Sequence, residues 1–238
     1  MKKALPVIVR IILCLLSGAA AVISFGLCVV TSSDMYLLTG IVAVLCTVSG
    51  IVMKRKWQIP YIVGMVLILM YGGFTGSFSS DKAFQYPYQR WYVHERGSFD
   101  VRFFPEQLPN TVYSYSTVFQ PSIMQGSGFY SVLVETDAET VAEIKKTAEK
   151  KAIEKALVTD VIDEYEAEYS MSHDSGTFQY ISTGTGEQGY FVYIPYEVLK
   201  NPEGYCIYTE YTDYDFNHPD THAYIINETT NTIIWSLI

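Results

Sequence analysis

Only one acidic side chain, Asp34, occurs in the first 78 residues of this 238-residue chain, and none of its four histidines does. With no Asp, Glu or His inside its apolar runs, that stretch lacks the residues that relay protons or bind ions within a membrane, which argues against transport by this chain alone. Bases are scarce in the remainder: residues 79–238 hold ten Lys and Arg against 24 Asp and Glu, a net of −14. That charge excludes binding nucleic acid by neutralising its phosphates. Cysteine is scarce too. Cys14, Cys28 and Cys46 lie in the first part and Cys206 alone in the second, so no disulfide can close within residues 79–238. An exported domain without disulfides fits a bacterium with a single membrane better than a eukaryotic secretory route. Each of the first three cysteines follows Leu rather than a small residue, so no lipoprotein anchor is expected.

What the first part does have is three apolar runs, residues 5–30, 35–53 and 59–78, of 26, 19 and 20 residues. At the helical rise they reach about 39, 28 and 30 Å, against a hydrocarbon core of roughly 30 Å. The spacing predicts three transmembrane helices. The rival for the first is a cleaved signal peptide, with Lys2 and Lys3 ahead of it and Ala19-Ala20-Ala21 as the cleavage site. Two further spans would still hold the product in the membrane. Lys2, Lys3 and Arg10, then Lys54, Arg55 and Lys56, mark the cytoplasmic side, which puts the N-terminus inside and residues 79–238 outside. Arg10, near the start of its span, reaches back to the headgroups. Thr39, Ala43 and Thr47, and Gly72 and Gly76, are small residues at four-residue spacing that let helices pack closely.

Residues 79–97 mix Phe84, Tyr86, Tyr88, Trp91 and Tyr92 with Lys82, Arg90 and Arg96, the composition of a juxtamembrane aromatic collar at headgroup level. Residues 98–238 then read as an extracytoplasmic α+β domain with a mostly antiparallel sheet and one long or kinked helix. Strands are predicted at 112–119, 129–135, 177–183, 190–194, 205–211, 222–227 and 232–237, the first two as an antiparallel pair and the last two as a hairpin through Glu228-Thr229-Thr230-Asn231. Thr136, three before Glu139, reads as the cap of a helix running to about Leu157, with Val141, Ile144, Ala148 and Ala152 on one face. A break is expected near Val158 to Asp160, with Asp160 as a second cap. Five lysines, including Lys150 paired to Glu154 and also Lys155, make a solvated face on that helix.

Several motifs imitate chemistry. Gly184-Thr185-Gly186-Glu187-Gln188-Gly189 has the dinucleotide-binding spacing, but a strand rather than a helix follows, so the glycines make a turn. Ser79-Ser80-Asp81-Lys82 has the Ser-x-x-Lys spacing of penicillin-recognising enzymes without their companion motifs. Cys206 sits between apolar strand residues and reads as a small hydrophobe. Asp213, Asp215 and Asn217 imitate the start of a calcium loop, but His218 replaces the turn Gly and Tyr224 the bidentate Glu; an EF-hand is excluded and a looser Ca²⁺ site is left. His218 and His222, with Asp220 between, are the zinc candidates, although Pro219 argues against the helix that would aim both imidazoles together.

Phe104-Pro105-Glu106-Gln107-Leu108-Pro109, Met124-Gln125-Gly126-Ser127-Gly128 and the stretch from Phe216-Asn217-His218 through Ile225-Ile226-Asn227-Glu228 to Ile233-Ile234-Trp235 resemble stretches of uncharacterised membrane-anchored proteins of Gram-positive bacteria. The resemblance covers about a third of the outer domain and implies a folded extracytoplasmic domain, with nothing catalytic. The expected protein is a multi-pass membrane protein presenting a binding, sensing or accessory domain, in contact with the lipid bilayer and with another membrane or extracytoplasmic protein, and needing no cofactor. The alternatives are a metal-assisted hydrolase using Asn217 to His222, and a structural or immunity-type membrane protein.

Overall fold

The computed structural model describes residues 5–31, 34–52, 76–96, 99–122, 128–162, 176–181, 189–213 and 220–238. The chain divides into two compact units, residues 1–78 and 79–238.

In the first unit α1 (Leu5–Thr31) and α2 (Asp34–Val52) pack against each other. Their contact is made of small and polar residues: Ser17, Ala21 and Ser24 on α1 meet Thr39 and Ala43 on α2, all buried. Thr47 donates its hydroxyl to Ser17 Oγ at 2.8 Å. A Cβ on Gly40 would stand 2.9 Å from the Phe25 ring, so only glycine admits that ring. Large apolar side chains such as Leu15, Ile23, Leu38 and Leu45 face outward. The small-residue spacing read at Thr39, Ala43 and Thr47 is therefore a helix-packing stripe. Among the described residues one helix, over Cys14–Thr31, is long and apolar enough to cross a membrane, and α2 holds a shorter apolar stretch at Tyr36–Val48. Most of the third run, 59–78, with Gly72, lies outside the described residues.

The second unit is an α+β fold built on an antiparallel sheet. Seven strands lie in the order β1-β2-β3-β9-β8-β7-β4: β1 (Phe78–Ser80), β2 (Ser114–Gln120), β3 (Phe129–Glu135), β4 (Glu154–Leu157), β7 (Cys206–Thr212), β8 (Thr221–Asn227) and β9 (Thr232–Leu237). β5 (Thr177–Ile181) and β6 (Tyr190–Ile194) form a separate antiparallel pair. The central strands carry near-continuous apolar runs because both faces of the sheet are covered. Alternation sends Leu133, Ile207, Ala223, Ile225 and Ile234 to one face, where they pack with Tyr190, Val192 and Ile194 of β6 and with Val198 and Leu199 of the short helix α6 (Tyr196–Lys200). This is the hairpin face.

The helix face is covered by α3 (Tyr86–Arg96), by a 3₁₀ turn at Val101–Phe103, and by α4 (Ala138–Lys151). Tyr86 and Tyr92 of α3 meet Tyr115 and Phe119 of β2 edge-on at 6.3 and 6.0 Å. The Tyr86 hydroxyl donates to the Pro105 carbonyl. Phe104 lies 4.5 Å from Tyr130, and Phe103 lies 4.9 Å from Tyr224. Residues 79–96 thus belong to the folded unit: Tyr86 and Tyr92, read as collar residues, are core, whereas Phe84, Tyr88 and Trp91 are exposed.

Three local expectations are corrected. The helix cap is Asp137 rather than Thr136: the Thr140 amide donates to Asp137 Oδ1 at 2.8 Å, while the Thr136 hydroxyl donates to the Thr111 carbonyl. The helix stops at Lys151 instead of Leu157, because residues 154–157 pair with Thr209 to Cys206 as strand β4. Lys155 therefore lies on a strand, its Nζ 5.0 Å over the Tyr208 ring, and Lys150 and Glu154 stand on different elements. The lysines of α4 make one pair within the helix, Lys145 to Glu149 at 3.8 Å, and two to other elements, Lys145 to Glu228 at 2.6 Å and Lys151 to Glu210 at 3.0 Å. The chain does break before Asp160, but the short helix α5 (Val158–Val161) is capped at Leu157, so Asp160 is inside it.

Candidate functional site

An open cleft of about 690 Å³ lies on the hairpin face, lined by Ser79, Ser80 and Asp81, by Ser116, Val118 and Gln120 of β2, and by Phe129, Gly176, Tyr193, Tyr196 and Glu197. Its existence follows from the strand pattern. Tyr115, Thr117 and Phe119 are buried toward the helix face, so the alternate residues Ser116, Val118 and Gln120 point the other way, to one side of the β5–β6 pair.

The floor is aromatic: the Phe129 and Tyr193 rings stack at 3.9 Å with 19° between planes, and Ile238, Val118 and Phe191 pack around them. Ser236 Oγ donates to the Tyr193 carbonyl at 2.8 Å, pinning that strand to β9. Burial pushes the Tyr193 hydroxyl far above its usual titration range, the Glu197 charge adds to the rise, and a hydrogen bond from the Gly176 backbone opposes it. A Cβ on Gly176 would collide with that hydroxyl and with the Ile194 carbonyl, so the close approach requires glycine. The walls are polar. Ser116 Oγ lies 3.4 Å from Glu197 Oε1, and Ser80 Oγ donates to Gln85 Oε1 at 2.7 Å. Lys200 Nζ caps the Tyr196 ring at 4.0 Å. Two carboxylates, Asp81 and Glu197, and no base are among the described residues that line it.

Of the residues with Ser-x-x-Lys spacing, Ser79, Ser80 and Asp81 line the cleft, and the Lys82 amide donates to Ser80 Oγ at 3.2 Å. Gly189 immediately precedes β6, and residues 182–188 of the glycine motif lie outside the described residues, between two strands that pair antiparallel. Cys206 is buried on β7, where desolvation raises its thiol pKa, which keeps it protonated and unreactive.

Of the metal candidates, His222 sits away from the cleft, on the helix face. His222 packs between Phe103 at 5.1 Å and Tyr211 at 5.2 Å. Its Nε2 is 3.2 Å from Asp220 Oδ1 but out of line for a hydrogen bond, so this buried nitrogen has no hydrogen-bond partner among the described residues. Asp213 and Asp220 close the loop on each other: the Asp213 amide donates to the Asp220 carbonyl and the Asp220 amide to Asp213 Oδ1, both at 3.1 Å. Asp215, Asn217 and His218 lie outside the described residues. Among the described residues, no three His, Cys, Asp or Glu side chains converge as a metal site would require.

The cleft was not legible in the sequence, because its lining comes from five separate segments. The closest signal was the short polar run Ser79-Ser80-Asp81 bordering an aromatic stretch. No protein-family model, curated protein or solved structure matches this chain.

Proposed function

We propose that this chain is a multi-pass membrane protein whose three N-terminal helices, 5–30, 35–53 and 59–78, hold the acidic α+β domain outside the cell, where it binds another protein through the cleft. The inside-out character of the α1–α2 pair, with small and polar residues in the contact and large apolar ones turned outward, supports the membrane part, since helices in lipid pack through small residues. The cleft carries the binding part: a concave surface with stacked aromatic rings for contact area and hydroxyls and carboxylates for orientation is the composition of a recognition site. With Asp81 and Glu197 and no base among the described residues lining it, the site favours a segment bearing a Lys or Arg. A metal-assisted hydrolase has weaker support: among the described residues its proposed set contributes Asp220 and His222, 3.2 Å apart, and no third ligand converges on them.

The test is site-specific photo-crosslinking of the full chain in its own membrane, with the reactive group at Val118 or Tyr196 and a control at exposed Tyr113. Adducts from the two cleft positions, absent at Tyr113 and reduced by Asp81→Asn with Glu197→Gln, are the expected result. Equal labelling from all three positions would sink the cleft as the binding surface. Reaction of single-cysteine variants with a membrane-impermeant thiol reagent reads the topology separately: Ser33→Cys should react from outside and Lys56→Cys only after the membrane is opened.

A further inference from the structure

Helix α3 is apolar on two opposite sides. Gln85, Tyr86, Gln89, Tyr92 and Val93 recur at the helical period and are buried against the sheet. Tyr88 and Trp91 line the other side, continued by Phe84 in the 3₁₀ turn Ala83–Gln85 that leads into α3, and the three are 60%, 56% and 73% exposed. Three large rings in one stripe form a docking face, since a solvated helix face normally carries charged and polar groups. Their chemistry specifies what docks there. Rings with an apolar body and, in Tyr and Trp, a polar tip are suited to the layer between hydrocarbon and water. Charge agrees: residues 79–96 carry Lys82, Arg90 and Arg96 against Asp81 and Glu95, a net of +1, whereas residues 97–238 carry seven bases against 22 acids, a net of −15. The stripe thus lies in a stretch that an anionic lipid surface does not repel, within a domain that it otherwise would. It also follows directly in sequence on the third apolar run, 59–78.

We propose that Phe84, Tyr88 and Trp91 form an interfacial anchor that lays α3 along the headgroup layer of a phospholipid bilayer, its rings at the acyl boundary and Lys82 at phosphate level. The anchor is independent of whether the cleft has a ligand. It acts beyond the apolar helices: they attach the chain, and the stripe fixes which side of the domain faces lipid.

The test uses the full chain in vesicles of phosphatidylcholine and phosphatidylglycerol, with the four native cysteines changed to Ser and a spin label on a single cysteine. Phe84→Cys, Tyr88→Cys and Trp91→Cys are each compared with Tyr113→Cys and Ile153→Cys, whose native side chains are exposed on other elements. Each variant leaves two rings of the stripe in place, and its circular dichroism confirms folding. Flotation of the vesicles reads attachment by the helices separately. At 84, 88 and 91 the label should collide more with lipid-soluble oxygen than with a water-soluble nickel chelate, and the order should invert at 113 and 153. Water-like behaviour at all five positions would overturn the anchor, as would shielding of the stripe from both reagents, which would indicate a protein partner instead.

Discussion

The hydroxyl of Tyr115 donates to Oε1 of Gln89 across 2.7 Å, joining strand β2 to helix α3 inside the core. Gln89 in turn donates from Nε2 to Gln85 Oε1 at 3.1 Å, the same oxygen that accepts from Ser80. The row connects the packed helix to the residues at the cleft rim. Tyr115→Phe keeps the ring contact with Tyr86 and removes the hydroxyl that makes this hydrogen bond. It should lower the unfolding free energy of residues 79–238 by about 1 kcal/mol, read from urea denaturation.

Helix α3 makes the domain boundary a matter of stability. A fragment starting at Ser79 keeps Tyr86, Gln89, Tyr92 and Val93, whereas one starting at residue 98 exposes the surface of Phe119 and Tyr115 that they cover. Burial of three such apolar side chains contributes roughly 5 kcal/mol or more, the order of a whole domain's stability. Residues 79–238 should unfold cooperatively, and residues 98–238 should be aggregated or molten by near-ultraviolet circular dichroism.

Two carboxylates set an acid limit. The hydrogen-bonded Arg102 side chain holds the Asp100 carboxyl at about 2, and the amide and hydroxyl of Thr140 hold that of Asp137 below its usual range. Both pKa values are depressed on folding, so their contribution is present above the unfolded value of about 3.9 and is lost as pH falls below it through each folded value, which for Asp100 is about 2. Asp137→Asn keeps a capping oxygen but cannot titrate. Its melting temperature should fall less steeply than the parent's over that window, in a thermal scan at each pH. Asp100 and Arg102 are solvent-exposed, so Asp100→Asn should matter less.

Gly176 and Tyr193 are in closer contact than any Cβ permits. Gly176→Ala must push the β5–β6 pair away from its present seat or displace the stacked Tyr193 ring. The expected outcome is loss of crosslinking from Tyr196 with the seven-stranded sheet intact, the latter shown by unchanged amide-exchange protection in β3, β8 and β9.

Among the described residues the His222 imidazole meets two aromatic rings and one carboxylate, and that carboxylate is the only metal-ligating group beside it, fewer than tight zinc binding requires. Elemental analysis of protein purified without chelator should show the same low zinc and calcium content in the parent and in His222→Ala. One metal per chain that vanishes with His222→Ala or His218→Ala would restore the hydrolase reading.

Much of the second unit was legible because its strands are strong local signals. The bounds of β3, β6 and β9 are those read from their runs of Val, Ile, Tyr and Phe, and the polar turn 228–231 joins the last two strands with Asn231 at a φ of 53°. The errors came where tertiary pairing outweighs local preference. Lys151 to Leu157 has good helix formers, but the Ile153 amide donates to the Thr209 carbonyl and the chain is drawn into the sheet. Helix α3 was hidden for a different reason. Its tyrosines serve two environments, and the residue types alone did not separate Tyr86 and Tyr92, which pack inward, from Tyr88, which does not. The spacing 85, 86, 89, 92, 93 was the available signal.

Both outermost strands of the large sheet are short, three residues in β1 and four in β4, while the strands between them run to six or seven. Unpaired backbone along a sheet margin invites another chain to extend it, and brevity is one of the ways proteins blunt that invitation. Lys155, exposed on β4, adds a charge at one margin. Copies gathered at high local density should therefore stay separate along their sheet margins, leaving assembly to be governed by side-chain surfaces rather than by shared β-structure.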